Sequence, residues 1–225
     1  MEKNTLKTEI ITTGDGSHTL RVASLKEHYH SHKGAMNESK HVFLKMGLDH
    51  LVPKDFIQLL EVGFGTGLNA LLTYFHVEQT PIHYTTLEAH PLQWKLVNKL
   101  NYPALIGQPQ AAGIFEKLHS APWNETIKIS EHFKLKKFEQ RLQDFKTEVL
   151  FDVIFYDAFA PHAQPELWQP EIWKQLFSQL NHGGVLVTYC AKGQVRRDMQ
   201  AAGFEVERLE GPPGKREMLR ATKIT

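Results

Sequence analysis

The fold of this chain is decided by one stretch, FIQLLEVGFGTGLNALLTYF at residues 56–75. The apolar run at 56–62 is typical of a buried strand, and the three glycines that follow it predict a tight turn. Residues 68–75 then space their apolar positions as a helix does. In a strand, glycine-rich turn and helix of this kind, a ligand can approach the backbone closely at the carboxyl end of the strand.

The same alternation continues toward the C-terminus. Further strands are predicted at 82–87, 151–156 and 185–189, and further helices at 92–100, 166–180 and 194–202. Strands that alternate with helices imply a doubly wound α/β fold, with a mostly parallel sheet covered on both faces. The tail differs, because 204–209 and 218–221 predict an antiparallel hairpin at the sheet edge. The 102–148 segment is longer than one crossover requires, and we expect a helix near 114–118 and a hairpin near 127–142.

Composition narrows the class of protein. The length of 225 residues suits a single domain, 1–225, with an N-terminal extension over about 1–53. The composition, with 41% hydrophobic and 23% charged residues, is ordinary for a soluble protein. No apolar run approaches the roughly 18 to 20 residues that span a bilayer, and the polar start has no signal-peptide pattern. Cys190 is the single cysteine, which excludes an intrachain disulfide. We therefore expect a cytoplasmic protein.

Two acids flank the glycine turn. Glu61 closes the first strand and Glu88 ends the second, while Leu68 stands where a dinucleotide fingerprint requires its last glycine. A carboxylate would repel a pyrophosphate but attract a sulfonium compound that carries an ammonium group. This favours S-adenosylmethionine over NAD, with Glu61 facing the ammonium group and Glu88 the ribose hydroxyls. The predicted cofactor residues here are Glu61, Gly63, Phe64, Gly65, Gly67 and Glu88.

A third acid, Asp157, ends the 151–156 strand and begins the motif Asp157-Ala-Phe-Ala-Pro161. Residues just past the strand ends line the ligand crevice of a doubly wound sheet. Methyl transfer is an in-line displacement, so positioning the acceptor is a large part of its catalysis. Asp157 could take a hydrogen bond or proton from an amine acceptor, and the Phe159 ring could pack against a planar base. The alternative is a strand-end cap beside a turn proline.

Four motifs occur in a fixed order: Glu61-Val-Gly-Phe-Gly-Thr-Gly-Leu-Asn69, Asp157-Ala-Phe-Ala-Pro161, Val195-Arg-Arg197 with Ala202-Gly-Phe204, and Gly214-Lys-Arg-Glu-Met-Leu219. Together with Glu38-Ser-Lys-His-Val-Phe43 and Trp168, they resemble the methyltransferase domain of the bacterial MnmC family of tRNA wobble-uridine modifying enzymes, including its stand-alone MnmD type. The resemblance spans about 34–219. It implies the Rossmann-like class I S-adenosylmethionine methyltransferase fold.

The resemblance also implies a reaction, the methylation of the primary amine of 5-aminomethyl-(2-thio)uridine at the tRNA wobble position. By the same matching, Asp144 would face the adenine amine of the cofactor, and Asp157 and Phe159 would be catalytic. Lys215, Arg216 and Trp168 would contact the tRNA anticodon region. The family's flavin-dependent oxidase is not expected here, because the sequence ends at Thr225, so FAD is not predicted. A metal is not predicted either, because no Cys cluster or carboxylate pair has the spacing of a metal site.

Other interpretations stay open from the residues alone. A polyamine aminopropyltransferase uses a related cofactor on the same sheet, another amine N-methyltransferase fits the same motifs, and a non-catalytic RNA-binding module is a third possibility. Basic stretches at 134–141, 192–197 and 215–216 indicate either a solvated face or a nucleic-acid contact. His28, His30 and His32 alternate along the chain without the spacing of a metal site, and we interpret them as polar loop or RNA-facing residues.

Overall fold

The computed structural model describes residues 8–23, 25–77 and 80–224 of the chain. Its strands are β1 (Thr8–Thr12), β2 (His18–Val22), β3 (Glu27–His28), β4 (Ile57–Val62), β5 (Ile82–Leu87), β6 (Thr126–Ser130), β7 (Phe133–Phe138), β8 (Phe151–Tyr156), β9 (Leu180–Thr188), β10 (Glu205–Glu210) and β11 (Glu217–Thr222). Its α-helices are α1 (Ala35–Ser39), α2 (Leu68–His76), α3 (Trp94–Val97), α4 (Tyr102–Ile106), α5 (Ala111–Ser120), α6 (Pro170–Ser178) and α7 (Gly193–Ala201).

Eight of these strands form the main sheet, in the order β10-β11-β9-β8-β4-β5-β7-β6. The five strands from β9 to β7 are mutually parallel, and β6, β10 and β11 run antiparallel to their neighbours. From β4 the chain adds strands on one side through β5 and then returns to add β8 and β9 on the other. This reversal opens a crevice at the carboxyl ends of β4 and β8, where doubly wound sheets bind their ligands.

Alternate residues of the central strands belong to different hydrophobic clusters. Leu59 and Phe155 lie in one cluster, and Leu60 and Ile154 lie in the other. Because successive side chains of a strand point to opposite faces, the main sheet is buried on both sides. The predicted fold class is confirmed, including the antiparallel C-terminal hairpin of β10 and β11.

The N-terminal strands β1 to β3 form a small antiparallel sheet of their own. Leu20 from this sheet and Ala35 from α1 are buried in the same cluster as Leu59 of the main sheet. The amide of His18 donates to Asn101 Oδ1 at 2.8 Å, which ties the small sheet to the chain before α4. The segment after β3 is therefore held over the carboxyl ends of the main strands.

Some predicted boundaries were wrong. The helix expected at 92–100 is only Trp94–Val97, and the one expected at 166–180 divides into a 3-10 turn, Pro165–Leu167, and α6. Pro170 lies in the first turn of α6, where its missing N–H costs nothing. The strand expected at 185–189 begins earlier, because β9 starts at Leu180 and includes Gly183 and Gly184, where the register against β8 shifts.

The 102–148 segment contains the expected helix, α5, and the expected hairpin, β6 with β7. A six-residue π-helix, Lys40–Lys45, continues α1, and 3-10 turns cover Leu48–His50 and Leu142–Asp144. None of these short turns has a simple apolar periodicity, so the sequence did not predict them.

Candidate cofactor and acceptor site

A large cavity of about 980 Å³ occupies the crevice at the carboxyl ends of β4, β5 and β8. Its walls come from the loops after these strands, from the N-terminal segment 25–33, and from the 211–216 loop that joins β10 to β11. This volume is at the upper end of the roughly 300–1,000 Å³ typical of small-molecule sites. The cavity therefore has room for a nucleoside-sized cofactor with part of a second molecule.

Gly63 and Gly65 bring the backbone of the turn to the cavity wall. Gly63 has φ 96°, and a Cβ there would lie 2.8 Å from the carbonyl oxygen of Asp157. Gly65 has φ 48°, and its Cβ would lie 3.0 Å from the ring of Tyr29. Both conformations and both approaches require glycine, because Asp157 and Tyr29 fill the space that a side chain would need. The turn packs closely against both residues and lines the cavity, and we call it the Gly63–Gly65 cradle.

Gly67 and Phe64 also make contacts within the protein, and their role toward a cofactor stays a prediction. Gly67 is the N-cap of α2 with φ 73°, and a Cβ there would come within 2.6 Å of His119 Nε2. It does not line the cavity. Phe64 lines the cavity, but its ring packs against His119 and Trp123, with centroids 5.1 and 6.2 Å away. These two residues shape the turn from behind.

Glu88 faces the cavity beside the turn. Its Oε2 accepts a hydrogen bond from the amide of Gly65 at 3.0 Å, and its Oε1 accepts one from the amide of His90 at 2.8 Å. Each carboxylate oxygen can accept a second bond, so the group is fixed in place and still able to receive two hydroxyl donors. A ribose diol offers that pair of donors.

Glu61 lies beneath the turn and does not reach the cavity. The side chain is fully buried, Thr86 Oγ1 donates to its Oε2 at 2.7 Å, and its Oε1 has no hydrogen-bond partner among the described residues. Burial raises the pKa of Glu61 to about 8. At neutral pH the group is therefore mostly uncharged in this structure, and the role expected of it toward a cofactor ammonium group stays a prediction.

Asp157 lines the cavity directly after β8. Its amide donates to the carbonyl of Val62 at 3.0 Å, and its Oδ2 accepts a hydrogen bond from Asn69 Nδ2 at 2.8 Å. Burial, together with the charge of Glu38, raises the pKa of Asp157 to about 7, against the lowering effects of Asn69 and Lys215. The group can therefore both hold and release a proton near neutral pH.

Two aromatic rings stand beside Asp157. Phe159 and Tyr29 meet edge to face with centroids 5.0 Å apart, and both line the cavity. The indole Nε1 of Trp168 donates to the carbonyl of Phe159 at 2.8 Å. Trp168 itself is buried against Tyr156 and Trp173, away from the cavity, so it positions the Phe159 loop rather than facing a ligand.

Glu38 and Lys215 form an ion pair in the cavity wall. Lys215 Nζ lies 2.6 Å from Glu38 Oε1 and 3.8 Å from the centroid of the Tyr189 ring. The amide of Ser31 donates to Glu38 Oε2 at 2.7 Å. Sequence reasoning gave Glu38 no role of its own, although it begins a quoted motif. Arg216, the neighbour of Lys215, is exposed and does not line the cavity.

The loop after β7 closes the remaining side of the cavity. Residues 140–143 line it, but Asp144 lies just beyond them, with its side chain 68% exposed and 4.0 Å from Arg141. The cavity wall therefore includes Gln143 but not Asp144, and the predicted contact of Asp144 with the adenine amine stays a prediction.

The histidine-rich segment forms part of the rim. His28, His30 and His32 all line the cavity, and His30 is buried with its pKa lowered by burial to about 4. In the part of the chain that the structure describes, no three His, Cys, Asp or Glu side chains are grouped so that they could hold a metal ion. The same residues include no helix long and apolar enough to cross a membrane.

Comparisons with known proteins agree with this geometry. Residues 116–224 match the model of a family described as S-adenosyl-L-methionine-dependent methyltransferase. The chain is 30% identical over 206 residues to the tRNA 5-methylaminomethyl-2-thiouridine biosynthesis bifunctional protein MnmC of Hydrogenovibrio crunogenus, covering 84% of this chain and 30% of that protein. The predicted family resemblance is confirmed. The MnmC protein of Pseudoalteromonas atlantica is also 30% identical, over 96% of this chain and 33% of its own length.

A solved structure is similar over almost the whole chain. MnmC2 from Aquifex aeolicus superposes with a TM-score of 0.80 at 25% identity, covering 99% of this chain and 73% of that one. A methyltransferase from Pyrococcus furiosus, with a TM-score of 0.51 at 17% identity, shares the fold. The chain spans about 30% of the length of the curated MnmC relatives that it matches.

Proposed function

We propose that this chain uses S-adenosylmethionine to methylate the primary amine of 5-aminomethyl-(2-thio)uridine at the tRNA wobble position, giving the 5-methylaminomethyl derivative. The observation that carries the proposal is the position of Asp157. It lies in the wall of the cavity beside Gly63 of the glycine turn, and the aromatic pair of Phe159 and Tyr29 lines the same cavity. The names of the MnmC relatives, which refer to the synthesis of this modified uridine, support the choice of substrate.

The cavity wall suits the cofactor at three points. The Gly63–Gly65 cradle admits a nucleoside against the backbone, Glu88 offers two fixed acceptors to ribose hydroxyls, and the matched family is S-adenosyl-L-methionine-dependent. The cofactor supplies a methyl group on a positively charged sulfur. Neither a flavin nor a metal is part of the proposed reaction.

The acceptor amine must lose a proton before it can attack, because an alkylammonium group has no lone pair. Asp157 has a pKa of about 7, so at neutral pH a large fraction is ionised and can take that proton. The nitrogen lone pair then forms the bond to the methyl carbon, while the carbon–sulfur bond breaks and its electrons stay on sulfur. Asp157 also holds the amine in line with the methyl–sulfur bond, and this orientation lowers the entropic part of the barrier to methyl transfer.

The aromatic pair suits a base taken from a single-stranded loop. Unstacked bases in RNA loops are commonly recognised by stacking on aromatic side chains. Phe159 offers such a face, held by the bond from Trp168 Nε1 to its carbonyl. We propose that the wobble base enters here, with the His-rich rim, Lys215 and Arg216 on the anticodon side. A tRNA substrate places the proposed activity in the cytoplasm.

Release of S-adenosylhomocysteine separates this proposal from its rivals. The purified protein is offered S-adenosylmethionine with tRNA from cells that lack wobble methylation, with a lysine-containing peptide, or with a diamine. Decarboxylated S-adenosylmethionine with the diamine tests aminopropyl transfer, which releases 5′-methylthioadenosine instead of S-adenosylhomocysteine. We expect turnover with the tRNA alone. Turnover only with the peptide or the diamine would contradict the proposed substrate, and no turnover with any acceptor would contradict the proposed class of enzyme.

A further inference from the structure

Asn69 is the second residue of α2 and is 3% exposed. Its Nδ2 donates to Asp157 Oδ2 at 2.8 Å, which joins the helix after the glycine turn to the end of β8. Within the described ranges its Oδ1 has no hydrogen-bond partner, and neither has Oε1 of the buried Glu61. The amide lies between two acids, because it donates to Asp157 and its hydrogen-bonding potential also lowers the pKa of Glu61.

Backbone hydrogen bonds fix both partners of the bond from Asn69 to Asp157. Gly67 begins α2, and its carbonyl accepts the amide of Leu71 at 3.0 Å, so the first turn that carries Asn69 is fixed. The amide of Asp157 donates to Val62, which fixes the other end. With Oδ2 of Asp157 engaged, Oδ1 is the carboxylate oxygen left for a ligand in the cavity.

We propose that Asn69 is a positioning residue for Asp157, which holds its Oδ2 so that Oδ1 faces the acceptor amine in the ionised form. An amide N–H can donate to a carboxylate oxygen whether or not substrate is present, and it favours the charged state. The inference rests on the proposed function for its acceptor, but the hydrogen bond and its effect on Asp157 can be measured without any substrate.

The test compares the wild-type chain with Asn69→Ala and Asn69→Asp. A matched control is Asn181→Ala, because Asn181 Nδ2 donates to the buried Asp152 Oδ1 at the same 2.8 Å distance, away from the cavity. The carboxyl carbon of Asp157 is followed by NMR in protein labelled with 13C-aspartate and assigned with Asp157→Asn. The pH dependence of kcat, the KM for tRNA and the Kd for S-adenosylmethionine are measured in parallel.

We expect the titration midpoint of Asp157 to rise by about one pH unit in Asn69→Ala, because the bond that favours the charged form is lost. At pH 7 kcat should then fall about fivefold, because the ionised fraction of Asp157 falls from about one half to about one tenth, while the Kd for S-adenosylmethionine changes less than threefold. The deficit should narrow at higher pH. Asn69→Asp should shift the midpoint further, since two carboxyl groups would share the site. Asn181→Ala should leave all of these quantities at wild-type values.

Two results would overturn the inference separately from the proposed function. An active wild-type enzyme whose Asp157 midpoint and pH profile do not change in Asn69→Ala would reduce Asn69 to a structural residue, whatever its effect on stability. A wild-type protein that leaves the tRNA unmethylated would overturn the proposed function, and with it the role of Asn69 toward an acceptor.

Discussion

Lys215→Met separates two roles for this lysine, a tRNA contact and a charge inside the cavity. Methionine keeps most of the stem that packs on the Tyr189 ring and removes the ammonium group, which lies 2.6 Å from Glu38 Oε1. Glu38→Gln removes the opposite charge and keeps an oxygen for the Ser31 amide. Arg216→Met is the matched control, since Arg216 is exposed and outside the cavity wall.

The expected loss of stability depends on how deeply the Lys215–Glu38 ion pair is buried. The side chain of Glu38 is 7% exposed and that of Lys215 is 31% exposed, so the pair lies between a surface ion pair, worth about 0–1 kcal/mol, and a buried one, whose disruption costs about 3–5 kcal/mol. We expect Lys215→Met to lower the free energy of unfolding by about 2 kcal/mol. Glu38→Gln should cost less, because the lysine that remains can reach solvent.

The pH profiles of kcat/KM should shift in opposite directions in Lys215→Met and Glu38→Gln. The charge of Glu38 raises the pKa of Asp157, and the charge of Lys215 lowers it. Lys215→Met should therefore move the acidic limb of kcat/KM to higher pH, and Glu38→Gln should move it to lower pH, each by about half to one unit. The titration of the substrate amine is common to all variants and cancels in the comparison.

Steady-state kinetics from pH 5.5 to 9, with chemical unfolding of each variant, measures both effects. Arg216→Met should change only the KM for tRNA. If Lys215→Met behaves in the same way, with a higher KM for tRNA, an unmoved pH profile and unchanged stability, then Lys215 is a tRNA contact and its place in the charge network of Asp157 is wrong.

Three further predictions follow from single contacts. Gly63→Ala should abolish S-adenosylmethionine binding in calorimetry, because the new Cβ would lie 2.8 Å from the backbone carbonyl oxygen of Asp157. Gly107→Ala is the control: Gly107 has φ 70° with open space around it, so the variant should lose only about 1 kcal/mol of stability and bind the cofactor normally. Equal losses of cofactor binding in the two variants would exclude a role of the Gly63–Gly65 cradle in binding. Burial lowers the pKa of His119 to about 4, so as the pH falls the histidine is protonated in the unfolded state before it is protonated in the folded state. The difference in free energy of unfolding between wild type and His119→Gln should therefore shrink by up to about 3 kcal/mol from pH 6.5 to pH 4. A difference that does not change with pH would contradict a neutral His119 ring in the folded protein. Trp168→Phe loses the bond to the Phe159 carbonyl and should raise the KM for tRNA several-fold at unchanged S-adenosylmethionine affinity; an unchanged KM would count against this positioning role.

The sheet could be predicted because its strands are buried on both faces. Mostly apolar runs next to turn signals, such as 56–62 and 151–156, are typical of buried strands, and the observed strands cover 57–62 and 151–156. Helix ends were less predictable, since α6 starts at a proline that local periodicity does not register. The bulge in β9 depends on its partner strand, which no local pattern contains.

The site was predicted where it depends on local sequence and missed where it depends on distant contacts. The approach of Gly63 and the position of Asp157 follow from strand ends, which a sequence pattern can locate. The burial of Glu61 beneath the turn and the pairing of Lys215 with Glu38 join residues up to 177 positions apart. Residue type identified these side chains as ionisable, but it could not predict on which side of the turn Glu61 would lie, that burial would raise its pKa, or which partner Lys215 would have.

The central claim is that the methyl group of S-adenosylmethionine reaches the wobble amine. The direct measurement is mass spectrometry of nucleosides after wild-type protein has acted on tRNA lacking wobble methylation, with a deuterated methyl group on the cofactor. We predict that 5-aminomethyl-(2-thio)uridine disappears and its methylamino derivative appears with the deuterated methyl on nitrogen, and that Asp157→Asn prevents this while still binding cofactor. If 5-aminomethyluridine persists unchanged, or the label appears on another nucleoside, the claim is contradicted.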